Sequence, residues 1–351
     1  MRSASVANLV GIGDLSDADI GVILGTTERL AGWVPGGFSS VGGVESGPSG
    51  GGGAFRGALA GLSAVLLFFE DSTRTRASFE LAAGGLGMRV VNLEVGRSSV
   101  TKGESFDDMI GTLAAMGSDV LVIRHGSSGA ARRAARVAGR QGCVVVNAGS
   151  GVSSHPTQAL LDAATMRRFV VPALGGSIGG EGLGVLSGLV VSVVGDVVRS
   201  RVARSLLRLL PRLGAEVRLV GPAGFVPGRF GVLGVRVFED LEAGLDGAHV
   251  VYCLRVQRER AGVGAAGAVD ASAYADRYGM TGSRLERLVP GGFLMHPGPV
   301  NRGVEVDGSA VEHERSLVLR QVAMGVPTRQ AVLLWLLGRE TVAAGGVVSG
   351  S

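Results

Sequence analysis

The segment LLFFEDSTRTRASFE, residues 66–80, places hydroxyls and arginines directly after an apolar run. The run predicts a buried strand that ends at Phe69, and Asp71 or Ser72 is a good N-cap for a following helix. Backbone N–H groups, the helix dipole and an arginine fork at such a place favour an anion such as phosphate. A capped helix with surface arginines is the alternative, and two Thr-Arg pairs directly after a strand argue against it. The residues that would line this helix start are Ser72, Thr73, Arg74 and Thr75.

Two later apolar runs of the first half also end in polar residues. VIRHGSSG places Arg124 and His125 after one run, and NAGSGVSSHPTQ places His155 and Gln158 beside a helix start marked by proline. The carboxyl ends of strands in an open α/β sheet lie on one edge, where ligands bind. His155 and Gln158 would share a helix face. A lone histidine is more often structural than catalytic, which is the interpretation we prefer for His125.

Arginines follow two apolar runs of the second half. VVGDVVRSRVARS places Arg199 and Arg201 after a strand, and YCLRVQRER places Arg255 and Gln257 after another. Arginines at two strand ends predict a substrate that carries carboxylates as well as phosphate. Arg258 and Arg260 fit solvated or structural roles equally well.

The segment LMHPGPVNRG, residues 294–303, is a strand that runs into a Pro-Gly-Pro turn. Such a turn fixes backbone carbonyls that could accept hydrogen bonds from an amide, although a simple sharp turn explains it too. The sequence has no Gly-x-Ser-x-Gly elbow between a predicted strand and a helix, no HExxH or Walker lysine motif, and no paired carboxylates in a cleft-like context. We therefore expect no metal and no cofactor, and transfer of an already activated group by positioning and oxyanion stabilisation.

The fold class predicted from the alternation of short apolar runs and helical segments is two doubly wound, parallel-sheet α/β domains. A domain of residues 1–169, completed by a C-terminal helix of about 318–345, would precede a domain of 170–317. Glycine-rich segments at 34–53 and 172–188 precede strands, so we expect surface loops and not phosphate cradles. The runs that predict buried strands are 62–69, 89–95, 119–125, 143–149, 189–196, 215–222, 235–240, 249–255 and 291–299.

Composition limits the other classes of function. A net charge of +4 is only mildly basic, and ARRAARVAGR at 131–140 fits a helix with a solvated arginine face, so no nucleic-acid partner is expected. Cys143 and Cys253 lie in apolar runs and fit buried, inert thiols. Neither a signal-type segment nor a membrane-length apolar run is present, so we expect no membrane contact and a cytoplasmic location.

The order of these motifs resembles the catalytic chains of the aspartate carbamoyltransferases, in the aspartate/ornithine carbamoyltransferase superfamily. The resemblance runs from about residue 55 to 340. Ornithine carbamoyltransferases share the Ser-Thr-Arg-Thr-Arg segment, but they would show His-Cys-Leu-Pro where this chain has His296 to Pro299. The motifs that carry the resemblance are FFEDSTRTRASFE, SSVTKGES, VIRHGSSGAAR, NAGSGVSSHPTQALLD, VGDVVRSRVARS, LRVQRER and MHPGPVNRG.

The resemblance implies transfer of the carbamoyl group of carbamoyl phosphate to L-aspartate, with the active site in the cleft between the domains. Ser72 to Thr75 would hold the phosphate, and Arg124, His155 and Thr75 would polarise the carbonyl oxygen. Gln158 and the carbonyls of Gly298 and Pro299 would hold the carbamoyl NH2. The carboxylates of aspartate would be bound by Arg201, Arg255 and Gln257.

The resemblance also implies a homotrimer whose active sites are shared between subunits. Ser98 and Lys102 would reach into the neighbouring subunit's site, and Lys102 is the only lysine among 34 basic residues. Its compact ammonium could contact both phosphate and aspartate, which a planar guanidinium does less well. Chance retention in an arginine-biased chain is the alternative. Larger assemblies with regulatory chains or a dihydroorotase stay open.

Overall fold

The computed structural model describes residues 8–32, 55–93, 104–176, 184–256 and 270–339. Its contacts divide the chain into two compact units, one of Met1–Leu160 with Met324–Ser351 and one of Leu161–Ala323. Each unit contains one parallel sheet with helices in its crossovers, which confirms the predicted fold class. No helix in the described ranges is long and apolar enough to cross a membrane.

The sheet of the first unit has the strand order β2-β1-β3-β4, with every described pair parallel. Its strands are β1 (Ser63–Phe68), β2 (Arg89–Leu93), β3 (Val120–His125) and β4 (Val144–Ser150). Helix α1 (Asp17–Ala31) precedes the strands and α5 (Pro156–Thr165) follows them. The helices that connect them are α2 (Thr73–Gly85), α3 (Phe106–Ala115) and α4 (Ala130–Ala138).

Apolar side chains on β1, β3 and β4 pack against the crossover helices to form the first unit's core. Val65, Leu121 and Val145 lie in one buried cluster with Ile110 of α3 and Ala134 of α4. The arginines of α4 lie on its exposed face, and all of its alanines except Ala135 are buried. Burial of this kind stabilises by about 25 cal/mol per Å² of apolar surface.

The sheet of the second unit has the order β7-β6-β5-β8-β9, and its described pairs are also parallel. Its strands are β5 (Val190–Val194), β6 (Glu216–Val220), β7 (Arg236–Phe238), β8 (Val250–Cys253) and β9 (Phe293–Met295). The helices are α6 (Val171–Ala173), α7 (Arg201–Leu209), α8 (Leu241–Leu245), α9 (Ala271–Tyr278), α10 (Gly282–Leu288) and α11 (Gly308–Val311).

The C-terminal helix α12 spans Val318–Leu336 and packs on a core, as its apolar run predicts. Its second half belongs to the first unit, where Ala331 to Leu334 are buried. Arg329 donates to Ser78 Oγ of α2 at 2.8 Å, and Trp335 Nε1 donates to Asp19 of α1 at 2.9 Å. The Arg329 bond attaches the C-terminal helix to α2, the helix that begins at the candidate phosphate site, and the Trp335 bond attaches it to α1.

Both cysteines are free and buried, as predicted. Burial raises the pKa of Cys143 to about 12, and burial also raises the pKa of Cys253. Because only the thiolate is nucleophilic, neither residue should react with iodoacetamide at pH 8 in the folded protein. Mass spectrometry should show no adduct under native conditions and two per chain in guanidinium chloride, one for each cysteine of the sequence. A rapid native adduct at either residue would contradict this expectation.

Candidate active site

The segment after β1 places the predicted anion-binding residues at a helix start. Helix α2 begins at Thr73 with Ser72 as the N-cap, and the Ser72 hydroxyl makes no capping hydrogen bond to the helix. Thr75 is buried, whereas Arg74 is exposed. The first N–H groups of a helix have no partner within it, so this end of α2 presents donors and positive potential to an anion.

The strand order brings the other predicted groups of the first unit to the same sheet edge. Strands β1, β3 and β4 are consecutive neighbours, and their carboxyl ends lead to α2, to Arg124 and to α5. Arg124 pairs with Phe68 in the ladder, and its carbonyl accepts the Phe69 N–H at 2.9 Å. The sheet therefore aligns the helix start, Arg124 and the start of α5 along one edge.

Contacts on both sides hold the guanidinium of Arg124. Its Nη1 donates to the carbonyl of Ala148 at 3.2 Å, and its Nε lies 3.9 Å from a carboxylate oxygen of Glu70. The Arg124 side chain is only 13% exposed. A cation held in a poorly solvated place interacts more strongly with a developing negative charge than one in water.

His155 and Gln158 lie at the start of α5, as predicted. Pro156 is the first helical residue, and the Gln158 N–H donates to the His155 carbonyl at 3.1 Å. Both side chains are at least nine-tenths buried, at 4% and 8% exposure. They provide polar groups in a protected position at the same sheet edge as Arg124.

His125 is held by contacts within the first unit, as a structural histidine would be. Its Nδ1 accepts the Ser127 N–H at 2.8 Å, and its ring packs 4.7 Å from that of Phe69 and 5.6 Å from that of Phe106. Burial lowers the pKa of His125, partly opposed by the charge of Glu70. The His125 ring thus contacts the loop that follows β3.

A second alignment of polar groups lies at the sheet edge of the second unit. Strands β5, β8 and β9 are consecutive neighbours, and their carboxyl ends lead to Arg201, Arg255 and the Gly298–Pro299 turn. Arg201 is the first residue of α7 and is buried, while Arg255 is half-buried. Two cations and one turn thus share an edge, within the second unit alone.

Arg199, the other arginine after β5, pairs with a carboxylate inside the second unit. Its Nη1 donates to the carboxylate of Asp196 at 3.1 Å, and its backbone N–H donates to the other carboxylate oxygen at 3.1 Å. Asp196 is buried, so this pairing compensates its charge. The residue predicted to bind substrate after β5 is Arg201.

The Pro-Gly-Pro turn after β9 has a defined geometry. Gly298 has φ of 68°, a value that favours glycine, and the Gly298–Pro299 peptide bond is cis. The Gly298 N–H donates to Nδ1 of His296 at 2.8 Å. The direction of the turn carbonyls is therefore set by glycine conformation and by one buried histidine.

Two residues beyond this turn were missed as site residues by sequence reasoning. Asn301 Oδ1 accepts from Nε of Arg255 at 3.5 Å, and the buried Glu305 accepts the Asn301 N–H at 2.6 Å. The only sequence signal for Glu305 is its place between two valines, which is weak.

Three predicted site residues lie outside the described residues: Ser98, Lys102 and Gln257. The glycine-rich segment 34–53 and residues 177–183 of the second one also lie outside. Within the described ranges, the residues predicted for the first unit converge on one sheet edge and those predicted for the second unit converge on another.

Comparison with known proteins defines the class. A family model described as the aspartate/ornithine carbamoyltransferase carbamoyl-P binding domain matches residues 8–168, and the Asp/Orn binding domain of the same family matches residues 187–336. The chain belongs to the aspartate/ornithine carbamoyltransferase family, as its motifs predict.

Individual relatives narrow the class further. The aspartate carbamoyltransferase catalytic subunit of Gluconacetobacter diazotrophicus is 48% identical over 275 residues, which cover 78% of this chain and 80% of that protein. The aspartate transcarbamoylase of Trypanosoma cruzi, solved with carbamoyl phosphate and aspartate, has a TM-score of 0.76 at 29% identity, covering 95% and 99% of the two chains. The ornithine carbamoyltransferase of Thermus thermophilus has a TM-score of 0.74 at 26% identity, covering 94% and 99%.

Proposed function

We propose that this chain transfers the carbamoyl group of carbamoyl phosphate to the amine of L-aspartate, giving N-carbamoyl-L-aspartate and phosphate. This reaction belongs to pyrimidine biosynthesis. The observation that carries the proposal is the alignment of the α2 start, Arg124 and the α5 start along one sheet edge. Family membership and relatives named for aspartate support the same reaction.

The first unit binds carbamoyl phosphate. Ser72, Thr73, Arg74 and Thr75 hold the phosphate through hydroxyls, backbone N–H groups and a guanidinium fork. Arg124, His155 and Thr75 donate to the carbamoyl oxygen, where negative charge grows in the tetrahedral transition state. Gln158 binds the carbamoyl NH2. Thr75, His155 and Gln158 are buried and Arg124 is largely buried, which supports such roles because buried donors stabilise charge strongly.

The second unit binds the acceptor. Arg201 holds the α-carboxylate of aspartate, and Arg255, helped by Gln257, holds the side-chain carboxylate. The carbonyls of Gly298 and Pro299 accept from the carbamoyl NH2, so they contribute to carbamoyl phosphate binding. Two fixed carboxylates leave the aspartate amine as the free nucleophile.

The reaction needs positioning and charge stabilisation more than covalent help. The amine lone pair attacks the carbonyl carbon, and the carbonyl electrons move onto oxygen towards the Arg124 and His155 donors. When the tetrahedral intermediate collapses, the bond from carbon to the phosphate oxygen breaks. The amine proton passes to the departing phosphate, which balances the reaction.

A colorimetric assay for carbamoyl aspartate with the purified chain tests this function. We expect turnover with L-aspartate and none with L-ornithine at equal concentration, because the acceptor pocket offers cations for two carboxylates. No turnover at saturating substrates would favour an inactive scaffold subunit. Preference for another amino acid would identify a different transcarbamoylase of the same family.

The subunit arrangement of the proposed enzyme is a homotrimer with shared sites. Strand β2 lies at an edge of the described sheet, its Val91 is 44% exposed, and Leu81 of α2 is 64% exposed. Apolar side chains beside an open strand edge support a subunit contact there. Sedimentation velocity of the chain alone should give a trimer, and a monomer at micromolar concentration would contradict it. Larger assemblies with regulatory chains or a dihydroorotase are compatible with this unit.

Lys102 completes the neighbouring subunit's site in this proposal, together with Ser98. Lys102→Arg is expected to keep the trimer but lose most of the activity, because a guanidinium has a different shape and a fixed plane. Steady-state kinetics and sedimentation of the variant check both parts. Arg136→Lys on the exposed face of α4 is the matched control and should change neither. Near-normal turnover of Lys102→Arg would remove the lysine from the mechanism.

A further inference from the structure

A polar network lies behind the two loops that carry the proposed acceptor site of the second unit, and its carboxylate and imidazole are buried. Its members are His296, Asn301 and Glu305, which we call the Glu305 network. Glu305 is 1% exposed, and a buried carboxylate is costly unless it is paired and hydrogen-bonded. The burial of the Glu305 carboxylate at the proposed substrate-binding edge must therefore be explained by the groups that it contacts.

Glu305 contacts both loops. Its Oε1 accepts the backbone N–H of Asn301 at 2.6 Å and lies 3.4 Å from Nε2 of His296. Its Oε2 accepts the backbone N–H of Val256, next to Arg255, at 3.5 Å. One carboxylate thus connects the segment after β8 with the segment after β9.

Asn301 extends the network to the acceptor arginine. Its amide Nδ2 donates to the carbonyl of Val256 at 3.2 Å, and its Oδ1 accepts from Nε of Arg255 at 3.5 Å. This contact at Nε limits how the Arg255 guanidinium can turn. Asn301 therefore helps to orient Arg255.

His296 extends the network to the Gly298–Pro299 turn. Its Nδ1 accepts the Gly298 N–H at 2.8 Å, which places the proton of the neutral ring on Nε2, the nitrogen that faces Glu305. The His296 N–H donates to Gln321 at 2.8 Å, and Gln321 donates to the buried Asp162 at 2.9 Å. This anchoring makes the histidine a fixed support for the turn.

From these contacts we infer that Asn301 and Glu305 are positioning residues that orient Arg255 and the Gly298–Pro299 carbonyls together. The inference rests on the proposed function, because it concerns the site that binds aspartate. Neither residue touches substrate in it. Each acts through the group that it holds, so the loss of either changes substrate affinity more than it changes the fold.

Two variants separate the roles of the network. Asn301→Ala removes the contact to Arg255 but keeps the backbone N–H that Glu305 accepts, so KM for L-aspartate should rise about tenfold with kcat changed less than threefold. Glu305→Gln removes the carboxylate from both loops, so KM for L-aspartate should rise at least as much and kcat should also fall. Affinity for succinate, a dicarboxylate that lacks the amine, should fall about tenfold for Asn301→Ala when measured by calorimetry with carbamoyl phosphate present.

Matched controls distinguish positioning from general destabilisation. Glu312→Gln makes the same change at an exposed carboxylate that pairs with Arg302, and it should leave KM unchanged. Ser192→Ala removes a buried hydrogen bond to the Gly244 carbonyl in mid-strand, so it should lower the melting temperature without changing KM.

The outcomes are distinct from those that test the function itself. If the wild-type chain turns over aspartate and Asn301→Ala keeps its KM and its succinate affinity, the inference is overturned. It is equally overturned if Ser192→Ala raises KM as much as Asn301→Ala does. If the wild-type chain gives no carbamoyl aspartate, the proposed function fails first.

Discussion

Arg74→Ala is expected to lower kcat/KM for carbamoyl phosphate by about 10²- to 10³-fold, the loss typical of removing one donor to a developing charge. Arg74 lies in the first turn of α2, whose N-terminus presents backbone donors and positive potential. Its guanidinium adds a charge-assisted fork that the helix alone cannot supply. Steady-state kinetics with varied carbamoyl phosphate at saturating aspartate measure the effect.

Arg76→Ala is the matched control for Arg74. Arg76 is on the same helix two residues later, and its guanidinium lies 5.1 Å from the centre of the Phe68 ring. Its loss should leave kcat/KM within a few-fold and lower stability by about 0.5–1 kcal/mol, the usual value of an exposed cation–π contact. Equal losses of activity in the two variants would mean that the anion site is not at the start of α2.

Arg255→Ala is expected to raise KM for L-aspartate by about 10²- to 10³-fold, or ~3–4 kcal/mol, because a carboxylate loses its charged partner in a poorly solvated place. Affinity for carbamoyl phosphate should change little, since Arg255 follows β8 in the second unit. Kinetics with varied aspartate and direct binding of carbamoyl phosphate separate the two effects.

Arg302→Ala serves as the control for Arg255. It removes the same charge from an exposed side chain that pairs with Glu312 at 3.2 Å, and exposed pairs contribute ~0–1 kcal/mol. Its KM for aspartate should stay within twofold of the wild type. If aspartate use survives unchanged in Arg255→Ala, the acceptor pocket is assigned to the wrong residue.

The sequence predicted the strands, and the sheet edge at which the candidate residues of the first unit lie, for physical reasons. Short Val- and Leu-rich runs bounded by glycine and polar residues can bury both faces, so they identify strands of a parallel sheet. Ser72 as N-cap and Pro156 at the first turn of α5 followed from local backbone chemistry. Because the carboxyl ends of parallel strands lie on one edge of a sheet, the topology alone predicts that Arg124 and the start of α2 lie at the same edge.

The interactions that the sequence did not reveal depend on side chains meeting across loops. Arg199 and Arg201 look equivalent after β5, and only the structure shows that Arg199 pairs with Asp196. Burial of Glu305 depends on the contacts with Val256 and His296, which lie far from it in the chain. No local pattern encodes such a pairing, because a Val-Glu-Val run fits an exposed strand as well.

The parallel pairing of every described strand affects how the chain must fold. Neighbours such as Val191 and Val250 are far apart in sequence, and no described pair is joined by a hairpin turn. The chain must lose conformational entropy to close these long loops before the strand pairs form and stabilise the fold. Folding is therefore slow for such topologies. During that time valine-rich segments with open edges are exposed to other copies of the chain. Recovery after dilution from denaturant should therefore fall as protein concentration rises, and the yield of active enzyme will depend on folding kinetics as much as on stability.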